Sequence, residues 1–270
     1  MRTTLLSFQC KSIEEANFIC SDKLHDFHTW ASSNKLVINF DLTKTYCIIH
    51  TFRDLNINDL EILFNNSILE NFREATFLGV MIDSKLNFHS HINYISKKIS
   101  KSIGIIYKLK TLKISSHTLK QAYHSLIGPY LSYCVCVFGN TYQTYINRLF
   151  ILQKRAVRLI SNASFLEHTD PLFFSNEILK IHDLYKLNIG LYMYDRWQSG
   201  AYDRTHSYNT RNRNDLIPNR ARLSVTLNSI SVIGPNIWNG IPQNIQNLQS
   251  KNSFKYQYKK YLLSSYSDNN

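Results

Sequence analysis

The stretch TFLGVMIDSKLNFHSHINYISKKISKSIGIIYKLK, residues 76–110, decides the fold, because the spacing of its apolar residues changes midway. Up to Asp83 the chain is β-compatible, and Thr76 to Ile82 reads as a strand. Beyond it, Ile92, Ile95, Ile99, Ile103 and Ile106 recur at steps of three and four, which marks one face of a helix of about five turns. Lys97, Lys98, Lys101 and Lys108 fall largely off that face. The change of period divides the chain into an upstream part with strands and a downstream part built from helices.

Upstream, Ser12 followed by Glu15 forms a capping box. The stripe Ile13, Ala16, Cys20, Leu24, Phe27 and Ala31 then predicts a helix through about residue 33. Thr3 to Phe8 is short and β-compatible. Further strands are expected at Leu36 to Phe40 and Tyr46 to Phe52, and as a hairpin of Glu61 to Phe64 with Ser67 to Glu70 around Asn65-Asn66. The helix is expected to pack on this sheet, which Thr76 to Ile82 completes.

Downstream, helical spacing runs from about Ser116 through Phe138, with a break at Gly128-Pro129, and again from Tyr142 to Ile160. In the second of these, Leu149, Leu152, Ala156 and Leu159 point inward and leave Lys154, Arg155 and Arg158 free to reach a partner. A further amphipathic stretch covers about Asn176 to Trp197. From Arg204 to Ser250, Gly, Pro, Asn and Arg interrupt every periodic pattern, so an extended, turn-rich segment is expected. A last helix, capped by Ser253, would carry Phe254, Tyr258, Tyr261 and Leu262 on one side. The expected class is α+β: a small antiparallel sheet with one helix over residues 1–83, a basic helical domain over 84–200, and an irregular extension with a terminal helix over 201–270. There are no internal repeats.

Composition fits a folded chain with a polyanionic partner. At 270 residues and 44% hydrophobic it can bury a substantial core. The formal charge of +12 is not spread evenly. No acidic residue lies between Asp83 and Glu167, and that interval holds twelve basic ones: Lys85, Lys97, Lys98, Lys101, Lys108, Lys110, Lys113, Lys120, Arg148, Lys154, Arg155 and Arg158. The other 19 Lys and Arg are matched by the 19 Asp and Glu, so the whole net charge resides in the middle third. Such asymmetry points to nucleic acid or an acidic membrane surface. The membrane reading is disfavoured because the apolar face of the basic helix is isoleucine-rich and has no interfacial Trp or Phe beyond Phe88.

Other classes find no support. The five cysteines are odd in number and include no CxxC pair, so neither a disulfide framework nor a zinc ribbon is indicated. His25 with His28, and His89 with His91, lack further ligands at metal spacing. The opening MRTTLLSFQCK does not read as a signal peptide. Leu126 to Phe138, the most apolar run, is too short and too interrupted to span a bilayer. An intracellular location, in cytoplasm or nucleus, is the expectation.

Phe77-Leu78-Gly79-Val80-Met81-Ile82-Asp83, followed by Leu86, Phe88 and His91-Ile92, resembles the primer-grip strand and following thumb helix of non-LTR (LINE-type) retrotransposon reverse transcriptases. Upstream, Trp30 to Asn34, Leu36, Asn39 and Lys44-Thr45 resemble the late palm of that family. Downstream, Tyr123, Leu126, Pro129, Leu131, Tyr133, Gly139 and the run Leu149 to Ile160 with its Gln153-Lys154-Arg155 are similar to it too. So are Tyr208 to Arg211, Gly234-Pro235, Trp238-Asn239 and Pro242. The motifs come in the family's order and cover nearly the whole chain. The resemblance departs from the family at Met1-Arg2, where an alanine-aspartate-aspartate turn is expected, and in a longer spacing from Asn39 to Lys44.

The resemblance implies a fragment of an RNA-directed DNA polymerase that binds template–primer duplex or RNA without reading sequence. Leu78 and Gly79 would belong to the strand supporting the primer end, where glycine allows close backbone approach. Lys44 would be a possible proton donor to pyrophosphate. Lys97, Lys98, Lys101, Lys108, Lys110, Lys154, Arg155 and Arg158 would contact phosphates. The intact family enzyme uses paired magnesium ions held by carboxylates; no metal ligand and no cofactor is assigned to these 270 residues, and no polymerase activity is expected of them alone. Asp41 and Asp83 are the nearest substitutes for those carboxylates, and capping is the expected role of Asp83. The alternative is a non-enzymatic RNA-binding or scaffold protein derived from a retroelement.

Overall fold

The computed structural model describes residues 6–37, 47–50, 61–64, 67–200, 215–222 and 224–267. Its class is α+β, and the chain divides into two compact units, Met1–Ser90 and His91–Asn270. Of the strands expected at Thr3 to Phe8, Leu36 to Phe40 and Tyr46 to Phe52, residues 3–5, 38–40, 46 and 51–52 lie outside the described residues, and the described remainder forms no strand beyond the bridge at Cys47. The Asn65-Asn66 turn, Asn39, Asp41, Lys44-Thr45 and Tyr208 to Arg211 also lie outside the described residues.

In the first unit, α1 (Ile13–Ser33) begins at Ser12, whose Oγ accepts from the Glu15 amide at 3.1 Å as the capping box predicts, while the Glu15 carboxylate accepts from the Lys11 amide at 2.5 Å, one residue before the expected Ser12 amide. A small hairpin, β1 (Leu63–Phe64) and β2 (Ser67–Ile68), pairs antiparallel with Phe64 opposite Ser67. Asn17 and Ser21, one turn apart on α1, accept from the amides of Glu61 and Leu63 at 2.9 and 3.0 Å. The helix thereby holds the hairpin's edge. Cys20 and Leu24 pack on the core formed by Ile62, Phe64 and Leu69. Cys47 joins it and forms an isolated parallel bridge to Asn71.

Residues 74–83 correct the sequence expectation. Thr76 to Ile82 is not one strand but a second hairpin, β3 (Glu74–Phe77) and β4 (Val80–Asp83), with Phe77 opposite Val80. Leu78 and Gly79 are the two turn residues, at φ 46° and 81°. Positive φ at both positions is the mirror-image turn whose twist matches that of paired strands. Gly79 adopts it freely, whereas Leu78 does so at a cost of roughly 1–2 kcal/mol. Both are therefore taken out of the strand and placed at a hairpin tip.

The second unit is helical. It contains α2 (His89–Thr111, whose first two residues fall in the first unit), α3 (Ser116–Leu126), α4 (Gly128–Ser132), α5 (Val135–Phe138), α6 (Gln143–Ile160), α7 (Asp170–Ser175), α8 (Ile181–Gln198), α9 (Ser224–Leu227), α10 (Ile230–Asn239), α11 (Gln243–Gln246) and α12 (Lys251–Ser264). The expected break at Gly128-Pro129 separates α3 from α4. Pro129 stands at the start of α4, where a missing amide costs nothing. Central to the unit is α8, which touches α4, α5, α6, α10 and α12. Its Gly190 lets Tyr258 of α12 approach so closely that an added Cβ would stand 2.6 Å from the ring, and Gly234 of α10 does the same for Met193. Tyr266, just past α12, donates to the buried Asp183 carboxylate at 2.6 Å and accepts from the Lys180 amide at 3.1 Å, which ties the chain's last helix to the start of α8.

The segment expected to be extended, Arg204 to Ser250, is helical over α9, α10 and α11. Pro235 sits inside α10, where it removes the amide that would have served the Ser231 carbonyl. The amide of Asn219 donates to that carbonyl instead, at 3.4 Å. Asn239 clasps Leu216 by both of its backbone groups at 2.9 Å, and Gln246 donates to the carbonyls of Trp238 and Ile241. Local sequence shows only helix breakers here; tertiary partners replace the lost bonds. The last helix starts earlier than expected, with Ser250 rather than Ser253 in the N-cap position and no side-chain cap bond.

Candidate nucleic-acid interface

The basic face is built by what α2 buries. Ile92, Ile95, Ile99, Ile103 and Ile106 are at most 3% exposed, and each contributes roughly 1.5–3 kcal/mol relative to an exposed position. At 100° per residue, burying that stripe turns Lys97, Lys101, Gly104 and Lys108 to the opposite side. The three lysines are exposed and form a strip about 16 Å long at 1.5 Å per residue. Lys98 stands apart from it: half-buried on the flank, its ammonium lies 5.3 Å from the centre of the Tyr94 ring. Lys110 is also half-buried, at the carboxyl end of α2, where it lines a cleft with Lys113.

The rotation of α6 is set by Gln153, which is buried. Its amide donates to Tyr123 Oη at 2.9 Å and to the Leu179 carbonyl at 2.8 Å, and its oxygen accepts from the Ile181 amide at 2.9 Å. With three partners fixed on α3 and at the start of α8, the outward residues include Arg148, Ile151 and Arg155. Burial pushes the Tyr123 phenol well above its ordinary pKa, so it stays a neutral member of this network. Arg148 donates to Asn93 of α2, which brings the exposed stripe of α6 beside the polar side of α2.

The structure separates the predicted phosphate ligands into two groups. Lys97, Lys101, Lys108 and Arg155 are exposed. Lys154 is folded over the Phe150 ring at 4.4 Å, and Arg158, expected to be free, donates from Nε and Nη2 to the Glu167 carbonyl at 3.0 and 2.9 Å. Arg158 is thus engaged in holding a loop. Sequence reading did not place Arg148 among the ligands, although it lies one heptad from Arg155, a spacing that keeps both on one helix face. Among the described residues, the ion pairs are made by Lys23, Lys180, Lys186 and Lys251, and none of the exposed cations of α2 or α6 takes part.

Of the two nearest candidate carboxylates, Asp41 lies outside the described residues and Asp83 is engaged with backbone amides. Asp83 accepts from the amides of Lys85 and Asn87 through one oxygen, at 3.0 and 3.2 Å, and from that of Phe88 through the other at 2.6 Å. Both oxygens shape the five residues leading into α2, although none of these amides belongs to the helix that Asp83 was expected to cap. Among the described residues no group of three or more His, Cys, Asp and Glu can hold a metal ion. Leu78 and Gly79 lie at the tip of the β3–β4 hairpin in the first unit; Lys44 lies outside the described residues.

An α+β chain with a helical unit that keeps a cationic strip outside its ion pairs is the class that fold and site define. Comparison with known proteins narrows it. The chain is similar to the RNA-directed DNA polymerase from mobile element jockey of Drosophila funebris, 26% identical over 173 residues that make up 63% of this chain and 18% of that protein. It is likewise similar to the jockey polymerase of Drosophila melanogaster, 24% identical over 184 residues, 67% of this chain and 19% of that protein. The chain is thus homologous over about two thirds of its length to the reverse transcriptase of a non-LTR mobile element, the family its sequence resembles. It spans about a fifth of the length of these relatives. No family model matches it, and no solved structure matches it. Among the described residues no helix is long and apolar enough to cross a membrane.

Proposed function

We propose that this chain is the nucleic-acid-holding portion of a mobile-element RNA-directed DNA polymerase, binding template–primer duplex or RNA by its phosphates and taking no part in nucleotidyl transfer by itself. The observation that carries the reading is the strip Lys97, Lys101 and Lys108 on α2 with Arg148 and Arg155 on α6, drawn from a stretch of chain with no acidic residue. A helix that turns lysines outward along its length can follow a phosphate backbone without contacting base edges. The homology supplies the polymerase context. The commitment of Asp83 to backbone amides supports assigning the magnesium-holding carboxylates to residues other than Asp83.

If about six cations contact phosphate, log affinity for duplex falls against log salt with a slope of order five. Lys97→Glu/Lys101→Glu/Lys108→Glu weakens binding at least about a hundredfold, equally for unrelated sequences, and lowers the slope by about three. Titrations of labelled duplex at several salt concentrations measure both. A flat salt response, or unchanged affinity in the triple variant, sinks the phosphate strip. Magnesium-dependent primer extension by the purified chain would refute the division between holding and chemistry.

A further inference from the structure

The turn after α6 presents two apolar side chains to solvent on a braced support. Phe165 and Leu166 are 82% and 89% exposed. They are the central pair of a turn closed by the Glu167 amide donating to the Ser164 carbonyl at 3.3 Å. The Glu167 carboxylate reaches back to the Ser164 amide at 3.1 Å, and Arg158 grips the Glu167 carbonyl with two donors. Turn centres ordinarily take small or polar residues. Here a ring and an isobutyl group occupy them, and four hydrogen bonds hold the turn that carries them.

The surroundings of this tip are cationic. Phe165 and Leu166 end the acid-free stretch, and the two acidic residues that follow are internally engaged: Glu167 with Ser164, and Asp170 with Lys180 at 2.8 Å. Two residues before Ser164, Asn162 lines the cleft that also contains Lys110, Lys113 and Ser116. An apolar, partly aromatic tip next to a lysine-lined cleft matches a nucleotide's two halves, a flat base and an anionic phosphate. Resting on the function proposed above, we infer that the Phe165–Leu166 tip stacks on an unpaired base while Lys110 and Lys113 hold the adjoining phosphate.

The test uses the full chain with two probes, a blunt RNA–DNA hybrid and the same hybrid with an unpaired extension carrying a fluorescent adenine analogue. Wild-type protein is expected to change the analogue's fluorescence. Phe165→Ser/Leu166→Ser should bind the extended probe about tenfold more weakly and the blunt one within about twofold of wild type, whereas Phe165→Tyr keeps its hold on the extended probe. Because both positions are exposed, the variants should melt at the wild-type temperature. Equal losses on both probes, or none, overturn the stacking while leaving phosphate binding intact. So does a double variant that instead loses binding to anionic vesicles or falls from dimer to monomer in sedimentation. If the wild type binds neither probe in a salt-dependent manner, the phosphate reading has failed and this inference falls with it.

Discussion

The two units bury apolar surface very differently. In the first, α1 spans 21 residues yet its one fully buried residue is Ala31, while Phe18 and Trp30 are 75% and 55% exposed. Its described core of buried residues is Ile62, Phe64 and Leu69, and the helix is held to the hairpin in part by two polar contacts. In the second, α8 buries residues on nearly every side, and Tyr194, Trp238, Phe254 and Tyr258 form an aromatic chain with centroid separations of 4.8 to 5.8 Å. Burial stabilises in proportion to the apolar area removed from water. The second unit is therefore expected to dominate the measured unfolding transition, and the basic strip rides on the better-supported part of the chain.

The contrast is tested most severely at Phe254, which is fully buried at the centre of that aromatic chain. Phe254→Ala is expected to cost about 4 kcal/mol in the main transition, since it removes a ring and leaves a cavity among side chains that cannot all collapse into it. Chemical denaturation measures the loss; a cost below about 1 kcal/mol would mean that the aromatic chain is not the unit's core. Next comes Gln153→Leu, which keeps the volume but strands Tyr123 Oη, the Leu179 carbonyl and the Ile181 amide. A cost of about 3 kcal/mol is expected. If α6 then rotates, binding to duplex falls as well, although Gln153 itself is buried.

These sites show what was legible in the chain and what was not. The helix cap at Ser12, the isoleucine face of α2 and the break at Gly128-Pro129 are local patterns, and the structure follows them. The outward placement of Lys97, Lys101 and Lys108 was legible for the same reason, since it is the complement of a periodic stripe. Leu78-Gly79 was not, because a turn that needs positive φ at both positions ordinarily announces itself with Asn or Asp ahead of Gly. The engagement of Arg158 with the Glu167 carbonyl depends on a loop nine residues away. Helix α10 hid behind Pro235, because the donor that compensates for it is Asn219, outside the helix. Each missed feature rests on a distant partner, or on a backbone geometry its residues do not advertise.

A smaller effect, at the amino end of the second unit, concerns His91. It is buried with its ring 5.0 Å from that of Phe138, and desolvation lowers its pKa from the ordinary 6.5. The unfolded chain therefore takes up a proton at this position at a higher pH than the folded chain does. The stability this neutral histidine contributes is complete above about pH 6.5 and is lost as pH falls from there through the lowered folded value. Denaturation midpoints at neutral and mildly acid pH should show that decline, and His91→Leu should make it shallower. His182 has its pKa lowered chiefly by desolvation too, so some slope remains in the variant.

The smallest change in the main transition is expected from the mirror-image experiment in the first unit. Phe64 is 5% exposed and belongs to the described core there, with the His28 ring in a T-shaped contact with it. Phe64→Ala should abolish the slow amide exchange of Leu63 and Leu69 and release α1 from the hairpin, yet move the main unfolding midpoint by less than the equivalent of about 0.5 kcal/mol, because openings confined to one unit leave the other's free energy untouched. Hydrogen exchange read residue by residue separates the two outcomes. If Phe64→Ala lowers the main transition as far as Phe254→Ala does, the units unfold together, and the stability of the basic strip cannot be credited to the second unit alone.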